Sequence, residues 1–141
     1  VVQQEHQPKF LLNRQEIKIL LAEENKLMEI VKLIGSDVLP DDQKLVIEIS
    51  KVIRVGFLQQ NAFHVDDTYV PLTKQMKMMD VILYLNKKSK EYVMTGKSLN
   101  MLLGTGIFEK VTKMKYDVSN EKYEQLDDYF NLIDTAIAKV H

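Results

Sequence analysis

The helical period of the apolar residues breaks sharply at Gly35-Ser36-Asp37-Val38-Leu39-Pro40, and that break constrains the chain to a helical hairpin. Upstream, Ile17, Leu20, Leu21, Leu27, Met28, Val31 and Ile34 recur at helical spacing with Lys and Glu between them, which predicts an amphipathic helix. Asn13 followed by Glu16 has the spacing of a capping box and is expected to open it. Gly35 is expected to close it, because a left-handed residue after the last turn is easy for Gly. Downstream, Pro40 suits the first turn of a new helix, where a missing N–H is no loss. Asp41 and Asp42 suit the positive end of that helix's dipole. Leu45, Ile49, Val52, Ile53 and Phe57 supply its buried stripe. Gly56 sits inside the pattern and is expected to cost about 1 kcal/mol relative to Ala. The tip of the hairpin is acidic.

The remainder is helical as well. Asn61 to Leu72 breaks the period and contains Pro71, which predicts an ordered loop. Thr73 can cap a third helix carrying Met76, Met79, Ile82, Leu83 and Leu85 and ending near Thr95-Gly96. Ser98 to Met114 reads as one or two short helices divided by Gly104 and Gly106. Tyr123, Leu126, Phe130, Ile133, Ile137 and Val140 alternate three and four apart and predict a final helix. No internal repeat interrupts the array. The expected fold class is all-α, a helical bundle with an N-terminal helical hairpin, with residues 1–12 as a tail or linker and 13–141 as one domain.

Bulk properties exclude several function classes. A chain of 141 residues buries one moderate core, and 45% apolar with 28% charged residues is the balance of a folded domain. Net charge is -1, so nucleic acid is not an expected partner. Cysteine is absent, which removes disulfides and thiolate chemistry. No apolar run approaches the roughly 20 residues that cross a bilayer, and direct membrane insertion is not expected. The chain opens on Val1 with a polar stretch behind it, so a piece of a longer protein is expected.

Thr95-Gly96-Lys97-Ser98 imitates the end of a phosphate-binding loop. The imitation fails because Glu91 stands where the first Gly belongs and a charged helix end, not a strand, precedes it. A helix-stop turn is the better reading. His6, His64 and His141 are too far apart for metal-ligand spacing, and His64 beside Asp66 and Asp67 reads as a polar loop. No metal site and no catalytic residue are expected. Lysines 87, 88 and 90, and again 110, 113 and 115, read as solvated helix faces. Of Met76, Met78 and Met79, two are expected to fill core. Asp37, Asp41 and Asp42 have two readings, helix capping and contact with a partner at a rigid protrusion. Phe63 and Tyr69 are either core aromatics or flat faces for a heterocycle such as adenine.

Phe57-Leu58-Gln59-Gln60-Asn61-Ala62-Phe63, followed by Asp67 and Tyr69, is similar to a signature segment of the catalytic A subunit of vacuolar-type and archaeal-type rotary ATPases. Gly35-Ser36-Asp37, the acidic turn behind it and Met114-Lys115-Tyr116 extend the resemblance from about Asn13 to Ile137. Val55 and Gly56 depart from it, standing where that family more often carries acidic residues.

The resemblance implies that residues 13–141 are the C-terminal helical domain of a larger catalytic subunit. That subunit would couple ATP hydrolysis or synthesis to rotation of a central shaft and transport of H⁺ or Na⁺. It implies that Phe63, with Ala62 and Tyr69, faces adenine. It also implies that Asp37, Val38, Leu39, Pro40, Asp41, Asp42 and Gln43 contact the rotor. ATP and Mg²⁺ would bind upstream, and this chain alone would not be an enzyme. Implied partners are the upstream nucleotide-binding domain, the B subunits and the central-stalk rotor subunit. The implied location is cytoplasmic, peripheral to the membrane in the ATPase head. From the pattern of residues alone, a free-standing helical adaptor or regulatory protein-binding module stays open.

Overall fold

The computed structural model describes residues 2–58 and 70–141, with side chains in the first helix described from Lys9 onward. Among the described residues every regular element is helical. Helix α1 (Val2–Ile34) is followed by a 3₁₀ turn (Ser36–Val38), α2 (Asp41–Ile53) and a π turn (Arg54–Leu58). Then come α3 (Leu72–Met94), α4 (Leu99–Leu103), α5 (Ile107–Thr112) and α6 (Met114–Asp117). A 3₁₀ segment (Asn120–Asp127) leads into α7 (Asp128–Val140). The chain is all-α, with the expected N-terminal hairpin.

Helix α1 has 33 residues and so runs about 50 Å, longer than the core can cover. Its central stretch is the part that packs. Ile17, Leu20, Glu24 and Leu27 are buried, and α2 lies across this stretch, with Ser50 Oγ donating to the Leu20 carbonyl at 3.4 Å. Ile34, expected in the buried stripe, is exposed instead, because α1 has already left the core there. The capping reading of Asn13 is also overturned. The helix continues upstream to Val2, and Asn13 Nδ2 donates to Asp80 Oδ1 at 2.7 Å, tying α1 to α3. Lys9 reaches the other oxygen of Asp80 at 3.3 Å.

Helix α3 is the axis of the bundle and packs on α1, α2, α4, α5, α7 and the second 3₁₀ segment. Encirclement explains why Met78 and Met79, and Val81 and Ile82, are adjacent in sequence yet all buried. A surface helix would bury only one of each pair. Of Met76, Met78 and Met79, the two that fill core are therefore Met78 and Met79. The helix starts at Leu72 behind Pro71, not at Thr73, and Gln75 Nε2 donates to the Val70 carbonyl at 2.8 Å. Lys74, one turn in, is fully buried and donates to the carbonyls of Lys115 and Val118 and to Asn120 Oδ1. A cation is taken out of water here by giving it oxygen acceptors. Lys115 is buried too, with its ammonium over the Tyr116 ring, so it is no member of a solvated face.

The expected last helix is divided. Lys122, with φ -117° and ψ 39°, interrupts it, and α7 begins only at Asp128. Leu126 of the 3₁₀ segment and Tyr129, Ile133 and Ala136 of α7 form the buried line, while Phe130 and Ile137 pack at the margin. Tyr84 and Phe130 meet edge to face at 5.1 Å.

Candidate functional site

The tip that joins α1 to α2 is built by four residues with separate tasks. Gly35 takes φ 87°, a conformation that a side chain disfavours, and its N–H still reaches the Val31 carbonyl at 2.9 Å. That ends α1 and turns the chain. Leu39 closes the 3₁₀ turn through its N–H to the Ser36 carbonyl at 3.1 Å, and its side chain is buried as the anchor of the tip. Pro40, extended at ψ 161°, opens α2, and its carbonyl accepts from Gln43 and Lys44 at 3.0 Å. Asp41 then turns its carboxylate away from its own helix, and Oδ2 accepts the N–H of Leu99 at 3.0 Å.

The seven tip residues singled out from sequence therefore do not share one surface. Asp37, Val38, Pro40 and Asp42 are exposed, Gln43 and Asp41 are half-buried, and Leu39 is buried. Beside Val38 of the 3₁₀ turn, the end of α1 contributes Leu33 and Ile34, of which the helical period places Ile34 inside and leaves Leu33 out. Leu33 is 85%, Ile34 62% and Val38 57% exposed. Each forgoes on the order of 1.5–3 kcal/mol of possible burial. The tip is an apolar shoulder flanked by carboxylates. Leu33 carried a usable signal, since it lies beside the stripe and just ahead of the stop glycine.

Elsewhere the expectations sort themselves by position. Thr95 to Ser98 forms an exposed turn with Gly96 at φ 91°, and the Gly96 N–H bonds to the Val93 carbonyl at 3.0 Å, a helix stop. Ala62, Phe63, His64, Asp66, Asp67 and Tyr69 lie outside the described residues. Among the described residues no three His, Cys, Asp or Glu side chains gather as a metal site, and no helix is long and apolar enough to cross a membrane. The phenols of Tyr84 and Tyr129 are perturbed. Tyr84 donates to Asp134 Oδ1 at 2.7 Å, and that bond, then burial and the charges of Asp134 and Glu91, push its pKa up to about 12. Burial and then the charge of Asp117 raise Tyr129.

The end of α2 is firmly set. Arg54, first residue of the π turn, ion-pairs with the buried carboxylate of Glu24 on α1. Two residues on, Gly56 packs against the backbone of Thr112 at the end of α5. Isolated π turns of this kind occur often beside functional segments.

Residues 1–102, from α1 into α4, match the family described as the C-terminal domain of V and A type ATP synthase. The chain belongs to this family. It is similar to the V-type ATP synthase alpha chain 2 of Clostridium tetani, 48% identical over 108 residues that make up 77% of this chain and 18% of the relative. The V-type ATP synthase alpha chain of Halothermothrix orenii is 38% identical over 119 residues, 79% of this chain and 20% of its own. The A subunit of the A-type ATP synthase of Methanopyrus kandleri is 36% identical over 121 residues, 86% of this chain and 20% of its own. The chain thus spans about a fifth of the length of these relatives. For a V/A-type C-terminal domain, the matched region contains the whole hairpin, its tip and the Glu24–Arg54 pair.

Proposed function

We propose that this chain acts as the C-terminal helical domain of the catalytic A subunit of a V/A-type rotary ATPase. It carries the closing movement of an upstream nucleotide-binding domain to the central shaft. ATP hydrolysis or synthesis upstream is thereby coupled to rotation and to H⁺ or Na⁺ transport, on the cytoplasmic face in a head that includes B subunits. On this reading the chain alone does not hydrolyse ATP. The observation that carries the reading is the projecting tip. Leu33, Ile34 and Val38 are left in water at the end of a packed lever, in a chain of this family. Exposed charge pairs contribute only about 0–1 kcal/mol, so the push passes mainly through the shape of the apolar shoulder, with Asp37 and Asp42 secondary.

Adenine lies against Phe63 in the same reading, with Ala62 and Tyr69 beside it. The support is the resemblance of the segment around Phe57 to Tyr69.

These 141 residues contain no cysteine, so a thiol introduced here is unique within this domain, and any cysteines elsewhere in the complex are replaced first. Val38→Cys in the assembled ATPase, labelled with a reagent that has one thiol-reactive arm and one short photoreactive arm, is expected on illumination to link this polypeptide to the shaft. Absence of that product in an active complex overturns the reading. Asp37→Asn with Asp42→Asn is expected to leave rotation largely intact, and near-total loss of rotation would sink the shape argument.

A further inference from the structure

Asp41 stands between two helix starts. It belongs to the first turn of α2, yet its carboxylate holds the first N–H of α4, 58 residues away in the chain. Ser98, the residue before Leu99, has the extended backbone of a capping residue, φ -78° and ψ 128°, but makes no side-chain cap. A capping side chain at Ser98 would reach the second or third N–H of α4, so the first N–H, that of Leu99, is one that local sequence leaves open and the hairpin satisfies. The consequence is mechanical. Gly35 is a turn without a side chain, and Ser36, Asp37, Val38, Pro40 and Asp42 are exposed, so few contacts hold the tip. Leu39 anchors it from beneath, and Asp41 fastens it sideways to α4. Helix α4 in turn packs on the body of α2 and on α3, α5 and α7, so Asp41 adds the restraint at the tip end of that contact.

We propose that Asp41 is a positioning residue for coupling: its bond to Leu99 makes the tip and the C-terminal helices move as one body. This rests on the coupling role proposed above and assigns Asp41 to holding the tip, not to touching the shaft. A carboxylate suits the position because its charge favours both helix N-termini at once, and a charged acceptor makes the stronger hydrogen bond. A tip released from α4 would yield under load, and nucleotide turnover would proceed with less rotation.

The test uses the assembled ATPase with its full-length catalytic polypeptide. Its two readouts are ions moved per ATP hydrolysed and hydrogen exchange at the Leu99 amide. Asp41→Ala is expected to raise Leu99 exchange by about fivefold, the size of a lost helix cap, and to lower the ion-to-ATP ratio. Asp41→Asn, which keeps an acceptor oxygen, is expected to restore most of both. The decisive variant is Asp41→Ala with Ser98→Asp, which stabilises the start of α4 through the N–H groups of Asn100 and Met101 without tying it to the tip. Slow exchange at Asn100 and Met101 with a ratio still low supports the proposal. Recovery of the ratio overturns it, because Asp41 would then only be a cap. Unchanged Leu99 exchange in Asp41→Ala, or raised exchange with a normal ratio, also overturns it. The Val38→Cys link to the shaft, made with Asp41 and Ser98 unaltered, tells failure of this proposal from failure of the coupling reading.

Discussion

A Cβ added to Gly56 would stand 2.8 Å from the carbonyl oxygen of Thr112 and 3.0 Å from its Cα. Both are backbone atoms, so neither can swing aside as a side chain would. From its helical setting alone, Gly56→Ala should gain about 1 kcal/mol. Overpacking against fixed backbone opposes this with about 1–3 kcal/mol. The difference leaves Gly56→Ala destabilising by up to about 2 kcal/mol. Urea unfolding monitored by circular dichroism checks the sign. A stabilised variant would mean that the π turn and α5 move apart easily.

Lys74 joins the start of α3 to the segment around α6, through bonds of 2.8 Å to the Lys115 carbonyl, 2.6 Å to the Val118 carbonyl and 2.8 Å to Asn120 Oδ1. Lys74→Met keeps most of the volume and removes the ammonium. Buried acceptors then lose a charged donor, each such bond being worth about 1.5–3 kcal/mol. Unfolding free energy is expected to fall by at least about 2 kcal/mol, with residues 114–120 the first to lose hydrogen-exchange protection. A variant as stable as the parent would show that this segment is held by apolar contacts alone.

The architecture was legible in the sequence wherever period and punctuation agreed. Gly35 and Pro40 bracket the hairpin turn, and Leu45, Ile49, Val52 and Ile53 are buried as their spacing requires. Failures came where a side chain worked across elements. Asn13 with Glu16 has the form of a local cap, but Asn13 serves Asp80 on another helix. Asp41 suits its own dipole but bonds to Leu99, and Lys74 has no sequence pattern that separates it from a surface lysine. Ile34 matches the stripe yet lies outside, because a period reports which face is apolar and not how far the core extends along the helix. Of the tip, its place and acidity were legible. The division between Val38 outside and Leu39 inside was not, since so short a turn has no period to read.

Tyr84 gives the fold a pH dependence on the alkaline side. Its pKa is raised from 10.0 to about 12, first by the bond it donates to Asp134, then by burial and by the charges of Asp134 and Glu91. A raised pKa means that the folded state favours the neutral phenol. The contribution is therefore fully present below pH 10 and lost as pH rises through about 12. Phenolate absorbance should show a late-titrating component that shrinks in Tyr84→Phe, leaving the raised Tyr129, and that moves earlier in Asp134→Asn. An unchanged titration curve in Asp134→Asn would assign the shift to burial.

Val38 and Leu39 are neighbours with opposite environments, 57% and 6% exposed, and together they test whether the tip is a surface or part of the core. Leu39→Ala removes buried methyl groups and leaves a gap under the tip. A loss of about 2–4 kcal/mol is expected. Val38→Ala removes atoms already in water and should change stability by less than about 0.5 kcal/mol. Chemical denaturation measures both, with the slope against denaturant expected to be unchanged if the unfolded state is unaffected. Equal losses would place Val38 against the core and remove the apolar shoulder. A harmless Leu39→Ala would leave Asp41 as the main restraint on the tip.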